Sequence, residues 1–249
     1  MGWSKGSREM NAVQIMVGLF SAPHKAMDTV VAHPRTWLVA AAIMIASLVA
    51  ATAVTGDAAL ELANERSQET IDRITANMDD AQAQLVRERS QPMTAQRFWL
   101  TAVGVGTLMM ALGWVARGTV VHFSGMALGG ISSWGTVFAA VVWADVIYAV
   151  RNVLQAVFFA VTGQLVEHQG LSGLVAQADW MANARSIPYA VLSRVDPFSI
   201  WFLIVMTAAA AVACKLSTGK AAVLVIVVWA VFVGLGILPV LLGRAIMPA

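Results

Sequence analysis

Residues 221–243 read AAVLVIVVWAVFVGLGILPVLLG, a run without a single charged side chain. Crossing the hydrocarbon core of a bilayer takes roughly 20 helical residues, and this run has that length. Four further apolar runs precede it, at Trp37–Thr55, Phe98–Ala116, Trp134–Val161 and Phe198–Cys214. Inside lipid every backbone N–H and C=O must be paired within its own segment, so all of these runs read as helices. The expected fold class is all-α: a polytopic membrane protein with five transmembrane helices.

Composition points the same way. The chain is 59% hydrophobic and 12% charged, against about 25% charged in an ordinary soluble domain. A net charge of +2 raises the question of nucleic acid. The basic residues are scattered and form no compact patch, so no nucleic-acid partner is expected. Cys214 is the only cysteine, which excludes a disulfide within the chain.

The distribution of Lys and Arg sets the expected orientation. With a cytoplasmic N-terminus, the inside segments hold Lys5, Arg8, Lys25, Arg35, Arg117, Lys215 and Lys220 against only Glu9 and Asp28. The outside segments hold Arg66, Arg73, Arg87, Arg89, Arg97, Arg185, Arg194 and Arg244 among a larger number of acids, from Asp57 to Asp196. Arg97 and Arg194 oppose the rule, but the short segments 117–133 and 214–220 obey it. The expectation is N-terminus inside, C-terminus outside, in a bacterial cytoplasmic membrane whose lipid bilayer is the first partner.

Ala51-Thr52-Ala53 has the look of a signal-peptide cleavage site. The apolar run before it exceeds the usual h-region of about 7–15 residues and begins far from the N-terminus, so a retained helix is expected. Ahead of it, residues 1–36 form an N-terminal segment. Ile15, Leu19 and Phe20, then Ala26, Met27, Val30 and Val31, recur at helical spacing. This predicts two amphipathic helices lying on the cytoplasmic membrane face, with Ser21 capping the second and Pro23 in its first turn.

Three stretches carry a family resemblance. The first runs from Leu19-Phe20-Ser21-Ala22-Pro23 to His33-Pro34-Arg35-Thr36-Trp37-Leu38. The second is Leu128-Gly129-Gly130-Ile131-Ser132-Ser133-Trp134. The third is Asp196-Pro197-Phe198-Ser199-Ile200-Trp201, followed by the turn Lys215-Leu216-Ser217-Thr218-Gly219-Lys220. Together they resemble the Yip-one domain family, five-helix membrane proteins that interact with Ypt/Rab GTPases, and their bacterial relatives. The resemblance covers residues 15–243, with the polar insert 56–96 outside its core. It departs at Ala144-Asp145-Val146, where many members carry a Pro. It implies a five-helix domain over 37–243 with no catalytic residues and no cofactor. Some bacterial members occur alongside exporters, which implies a membrane-protein partner.

The same residues have a direct physical reading. Asp196 is a good N-cap and Pro197 suits the first helical position. Trp37, Asp196, Pro197, Phe198 and Trp201 are then expected as anchors at the membrane interface. Gly219 reads as a helix-ending residue in the turn between the last two helices. Gly104, Gly106 and Gly113 read as points of close approach on the second helix.

The third helix interrupts its own apolar run with Asp145, Tyr148, Arg151, Asn152, Gln155 and Thr162. At 100° per residue all of them fall within a sector of roughly 120°. The opposite side, from Trp143, Val146 and Ile147 to Val157 and Phe158, is expected to face lipid. Charges at membrane depth cost a few kcal/mol unless they face other helices and find partners there (roughly +2.5–3.5 at the helix centre). The polar face therefore reads as an interhelical clamp, or alternatively as an ion or solute path. No other span supplies an ionisable partner at its centre by this reading. His24, His33, His122 and His168 are too widely spaced for a metal site, and neither a nucleophile motif nor a phosphate loop occurs.

Residues 57–91 are charged and free of Gly and Pro, and they read as an extracytoplasmic helical arm. Ile71, Ile74, Met78, Ala81 and Leu85 recur at intervals of three and four, a short coiled-coil seam. The first two spans must return to the membrane as neighbours, so the arm is expected to fold back near Asn77–Asp80. The seam then either closes the hairpin or stays free for another protein's helix. The expected function is non-enzymatic: a scaffold or accessory subunit of a membrane complex, with a small-solute or ion transporter as the alternative.

Overall fold

A computed structural model describes residues 11–246. Lys5, Arg8 and Glu9, which enter the charge count above, lie outside these residues. Five helices among the described residues are long and apolar enough to cross a membrane. The described chain contains helices, turns and loops, with no strand.

Two short helices come first, α1 (Ala12–Ser21) and α2 (Pro23–Ala32). Asn11 caps α1 through a reciprocal pair of bonds with Gln14, and Pro23 opens α2 as expected. Ser21 does not cap α2: its hydroxyl donates back to the Val17 carbonyl and so completes α1. Much of the apolar stripe of the pair is covered by protein. Ile15, Leu19, Ala26, Met27 and Val30 are fully buried within the protein rather than turned to lipid. The reason lies in α10 (Pro197–Cys214), against which α2 packs. Ala208–Ala211 and Ala213 of α10 are all buried, and small side chains let helices approach closely.

Helix α3 (Trp37–Thr75) is the first span and continues unbroken beyond the apolar run. After a turn, α4 (Asp80–Arg89) returns, with the Asp79 side chain accepting from the Gln82 N–H as its cap. The second span starts with α5 (Ala95–Trp99), widens into a π-helical turn over Leu100–Val105, and continues as α6 (Gly106–Ala127). It therefore reaches eleven residues past Ala116, where the hydropathy run ends. The third span is α7 (Trp134–Thr162). Two short helices, α8 (Trp180–Ala184) and α9 (Ile187–Leu192), precede α10, and α11 (Thr218–Ile246) completes the set.

The chain forms two compact units. One holds the described residues up to Met44, then Ala111–Arg151 and those from Glu167 onward; the other holds Ile45–Met110 and Asn152–Val166.

In the first unit the turn between α6 and α7 depends on glycine. Gly129 has a φ of 85°, a left-handed conformation costly for other residues. A Cβ on Gly130 would lie 2.4 Å from the Cys214 carbonyl oxygen, and one on Gly125 would lie 2.7 Å from Cys214 Sγ. The next N–H, of Ile131, donates to that same carbonyl at 2.9 Å. Lys220 ties the opposite side by donating to the Leu128 carbonyl. The residue that ends α10 is Lys215, with φ 54°, and Gly219 instead lies in the first turn of α11.

In the second unit α3 and α4 form a hairpin, but the apolar seam does not close it. Thr75 and Ala83 are the buried positions, Arg87 reaches both Thr75 and Asp72, and Asn64 exchanges two hydrogen bonds with the Met93 backbone. Ile71 is half-buried, whereas Ile74, Met78, Ala81 and Leu85 are exposed. A Cβ on Gly106 would meet the Leu48 side chain of α3 at 3.5 Å, an ordinary van der Waals contact that does not require glycine.

Candidate functional site

The first half of α7 is enclosed by protein. Trp143, Val146 and Ile147 show no exposure, which overturns their assignment to a lipid face. Only the later residues of that stripe, such as Val153, Val157 and Phe158, are exposed. An apolar side chain suits lipid and protein equally, so periodicity cannot separate the two environments.

Asp145, 2% exposed, sits in this enclosed half. Its partner is Arg117 of α6, which donates from both terminal nitrogens to both carboxylate oxygens, one of them at 2.6 Å. The Trp114 indole adds a third donor at 2.7 Å. Two parallel N–H···O bonds from a guanidinium give the strongest and most directional of carboxylate pairings. Arg117 follows the end of the apolar run, yet it lies inside α6, which corrects the expectation that no other span supplies an ionisable partner. The signal was available in Trp114-x-x-Arg117, two polar-tipped residues three apart on one helix face.

Arg151, one and two-thirds turns along α7 from Asp145, does not share that carboxylate. It donates to Asp196 of α10 at 3.2 Å. Asp196 is 8% exposed and also caps α10, exchanging bonds with Ser199. This residue expected as an interface anchor is thus a buried countercharge. The two ion pairs are joined by aromatic rings. Arg151 lies 4.9 Å from the Tyr148 ring centroid, Tyr148 lies 5.2 Å from Phe202, and Arg117 lies 5.6 Å from Phe202. Guanidinium over an aromatic face is favourable, the more so when desolvated.

The remaining polar residues of α7 do not join this cluster. Asn152, in the second unit, bonds the Ser47 hydroxyl of α3 at 3.3 Å. Thr162 returns its hydroxyl to the Phe158 carbonyl and finishes the helix. Gln155 is half-buried in the same unit. Among the anchors, Pro197 is exposed and Phe198 half-buried, while Trp37 packs edge-on against Phe138. Trp201 stacks on Phe20 and donates its indole N–H to the Leu19 carbonyl, so it holds α1 in place.

A cavity of about 590 Å³ adjoins the two ion pairs. Arg117, Tyr148 and Arg151 form part of its wall, with Gln169, Ser193 and Arg194 from the segment between α7 and α10. Gly170 brings that segment together: with φ 59° it lets the Leu171 N–H reach the Val195 carbonyl at 3.0 Å. The other wall is apolar and includes Met206, Val225, Val228 and Phe232.

Neither a characterised protein nor a solved structure shows significant similarity to this chain. The family comparison does give a match, covering residues 17–238, and it includes the Gly-Gly turn, the Arg117–Asp145 and Arg151–Asp196 pairs and all but the end of α11. A match over nearly the whole length places this chain in the Yip1 domain family of membrane proteins.

Proposed function

We propose that the chain is a non-enzymatic scaffold or accessory subunit of a complex in a bacterial cytoplasmic membrane, with exporter components among its possible partners. The observation that carries this reading is the uncovered seam. The hairpin of α3 and α4 closes through Thr75, Ala83 and Arg87, and leaves Ile74, Met78 and Leu85 as an apolar row on a charged arm. Such a row matches the a/d face of a partner helix. The transporter reading is weaker. Asp145 is held by three donors, and a carboxylate so saturated is a poor carrier of a moving ion or proton.

The test replaces the exposed Ile74, Met78 and Leu85 with Ser in a tagged chain purified in mild detergent. Partners identified by mass spectrometry with the parent chain should be lost, and the melting temperature should stay within about 2 °C, since exposed sites away from special contacts change stability little. Loss of stability with retained partners would assign the seam to internal packing. Orientation is checked separately. A reporter active only outside the cytoplasm should work when fused after Ala249 and fail when fused after Thr218. The opposite pattern would reverse the proposed insertion.

A further inference from the structure

The cavity beside the ion pairs presents more positive charge than the protein compensates. Three guanidiniums, of Arg117, Arg151 and Arg194, contribute to its wall, and none of its lining residues is acidic. Two carboxylates stand behind them, Asp145 and Asp196, which leaves one positive charge over. The three arginines are satisfied to different degrees. Arg117 is held bidentately. Arg151 makes a single bond to Asp196, and its Nε is buried without a hydrogen-bond partner. Arg194 makes no side-chain ion pair among the described residues.

Glycines lie against two of these groups, tightly at Gly236 and in ordinary contact at Gly113. A Cβ on Gly236 of α11 would come within 3.1 Å of Arg194 Nη2, and one on Gly113 would lie 3.7 Å from Arg117 Nη2. The missing side chain at Gly236 leaves room on α11 for the Arg194 guanidinium, which has no ion-pair partner among the described residues. Ser193, Ser199 and Gln169 add neutral polar groups beside it. From this polar end the wall continues as Val225, Val228, Trp229 and Phe232 of α11. The neighbouring face of that helix, Val223, Ile226, Val227 and Val231, is more than half exposed.

Guanidiniums at one end and a hydrocarbon wall at the other select a ligand with the same division. We infer that the cavity binds the phosphate headgroup of an anionic membrane lipid, with Arg194 and Arg151 on the phosphate and the first part of an acyl chain along α11. Its volume lies within the range of roughly 300–1,000 Å³ found for small-ligand sites. A planar guanidinium fork is the side chain best matched to phosphate oxygens. A phosphate monoester free in solution shares the charge but not the apolar half, so the two sources can be told apart.

The experiment uses the full chain in a neutral maltoside detergent, with binding read by native mass spectrometry and by melting temperature. The probes are phosphatidylglycerol, phosphatidylcholine and inorganic phosphate. Phosphatidylglycerol should bind at least about tenfold more tightly than phosphatidylcholine, the worth of one charge-assisted contact. Arg194→Gln should remove that preference while leaving the lipid-free melting temperature unchanged, because Arg194 has no ion pair to lose. Arg194→Lys should keep part of the preference, and Arg89→Gln on the arm should keep all of it. Equal binding of the two lipids, or full preference in Arg194→Gln, would overturn the proposal. Inorganic phosphate that displaces phosphatidylglycerol at millimolar concentration would overturn the lipid assignment and leave a free-phosphate site.

Discussion

Asp145→Ala is expected to lower the melting temperature in detergent by roughly 10 °C, the largest effect of any single polar substitution in the chain. Removing the carboxylate strands Arg117, which loses both of its charge-assisted bonds, and leaves the Trp114 indole without an acceptor. Breaking a buried pair from one side costs about 3–5 kcal/mol, mostly because the surviving charge stays desolvated. Replacing both partners with apolar residues of similar size removes that penalty. The double variant Arg117→Met with Asp145→Leu should therefore melt well above Asp145→Ala. Asp145→Asn keeps one acceptor for Trp114 and should fall between the two. A melting temperature for Asp145→Ala equal to that of the parent chain would remove the pair from any structural role.

Gly130→Ala should be nearly as damaging, for a reason of space rather than charge. Its methyl group would meet the Cys214 carbonyl oxygen at 2.4 Å and the Gly125 carbonyl oxygen at 2.9 Å. Backbone cannot rotate aside as a side chain does, so the end of α10 must separate from the α6–α7 turn. The Ile131 to Cys214 hydrogen bond then goes with it. The expected cost is about 3 kcal/mol, the upper part of the range for overpacking. Gly129→Ala makes the control. Nothing lies within 4 Å of its Cβ position, so only the left-handed φ of 85° opposes it, at about 1 kcal/mol. Thermal melting of the two variants, side by side, should show Gly130→Ala as clearly the less stable. The reverse order would mean that the turn conformation, not the contact with α10, sets the requirement.

The five spans were legible because hydrocarbon imposes one solution on the backbone, and length then does the rest. Asp145 was legible as a residue in need of a partner, by the cost of its charge. The partner itself was not, because hydropathy ends the second run at Ala116, one residue before Arg117, and so places the arginine in a loop. The helix goes on to Ala127 since backbone pairing, not side-chain polarity, decides where it stops. Asp196 was read correctly as a cap, yet a cap and a countercharge look alike in a sequence, and only its 8% exposure beside Arg151 shows the second role. The seam on the arm was visible as spacing, whereas the polar contacts that close the hairpin, Arg87 with Thr75 and Asn64 with Met93, have no periodic signature. Ile15, Leu19 and Met27 showed an apolar stripe without saying whether lipid or α10 would cover it.

The placement of the two ion pairs also sets a timetable for the nascent chain. Arg117 precedes Asp145 by 28 residues, so α7 meets its first countercharge as it is made. Arg151 must wait for Asp196, 45 residues later. At about 5–20 residues per second, that interval lasts several seconds, during which one guanidinium of α7 has no protein counterion. Until α10 has been made, the Arg151 guanidinium must be compensated by water or lipid headgroups rather than by Asp196. The polar half of α7 is thus completed only when the fourth span packs against the third.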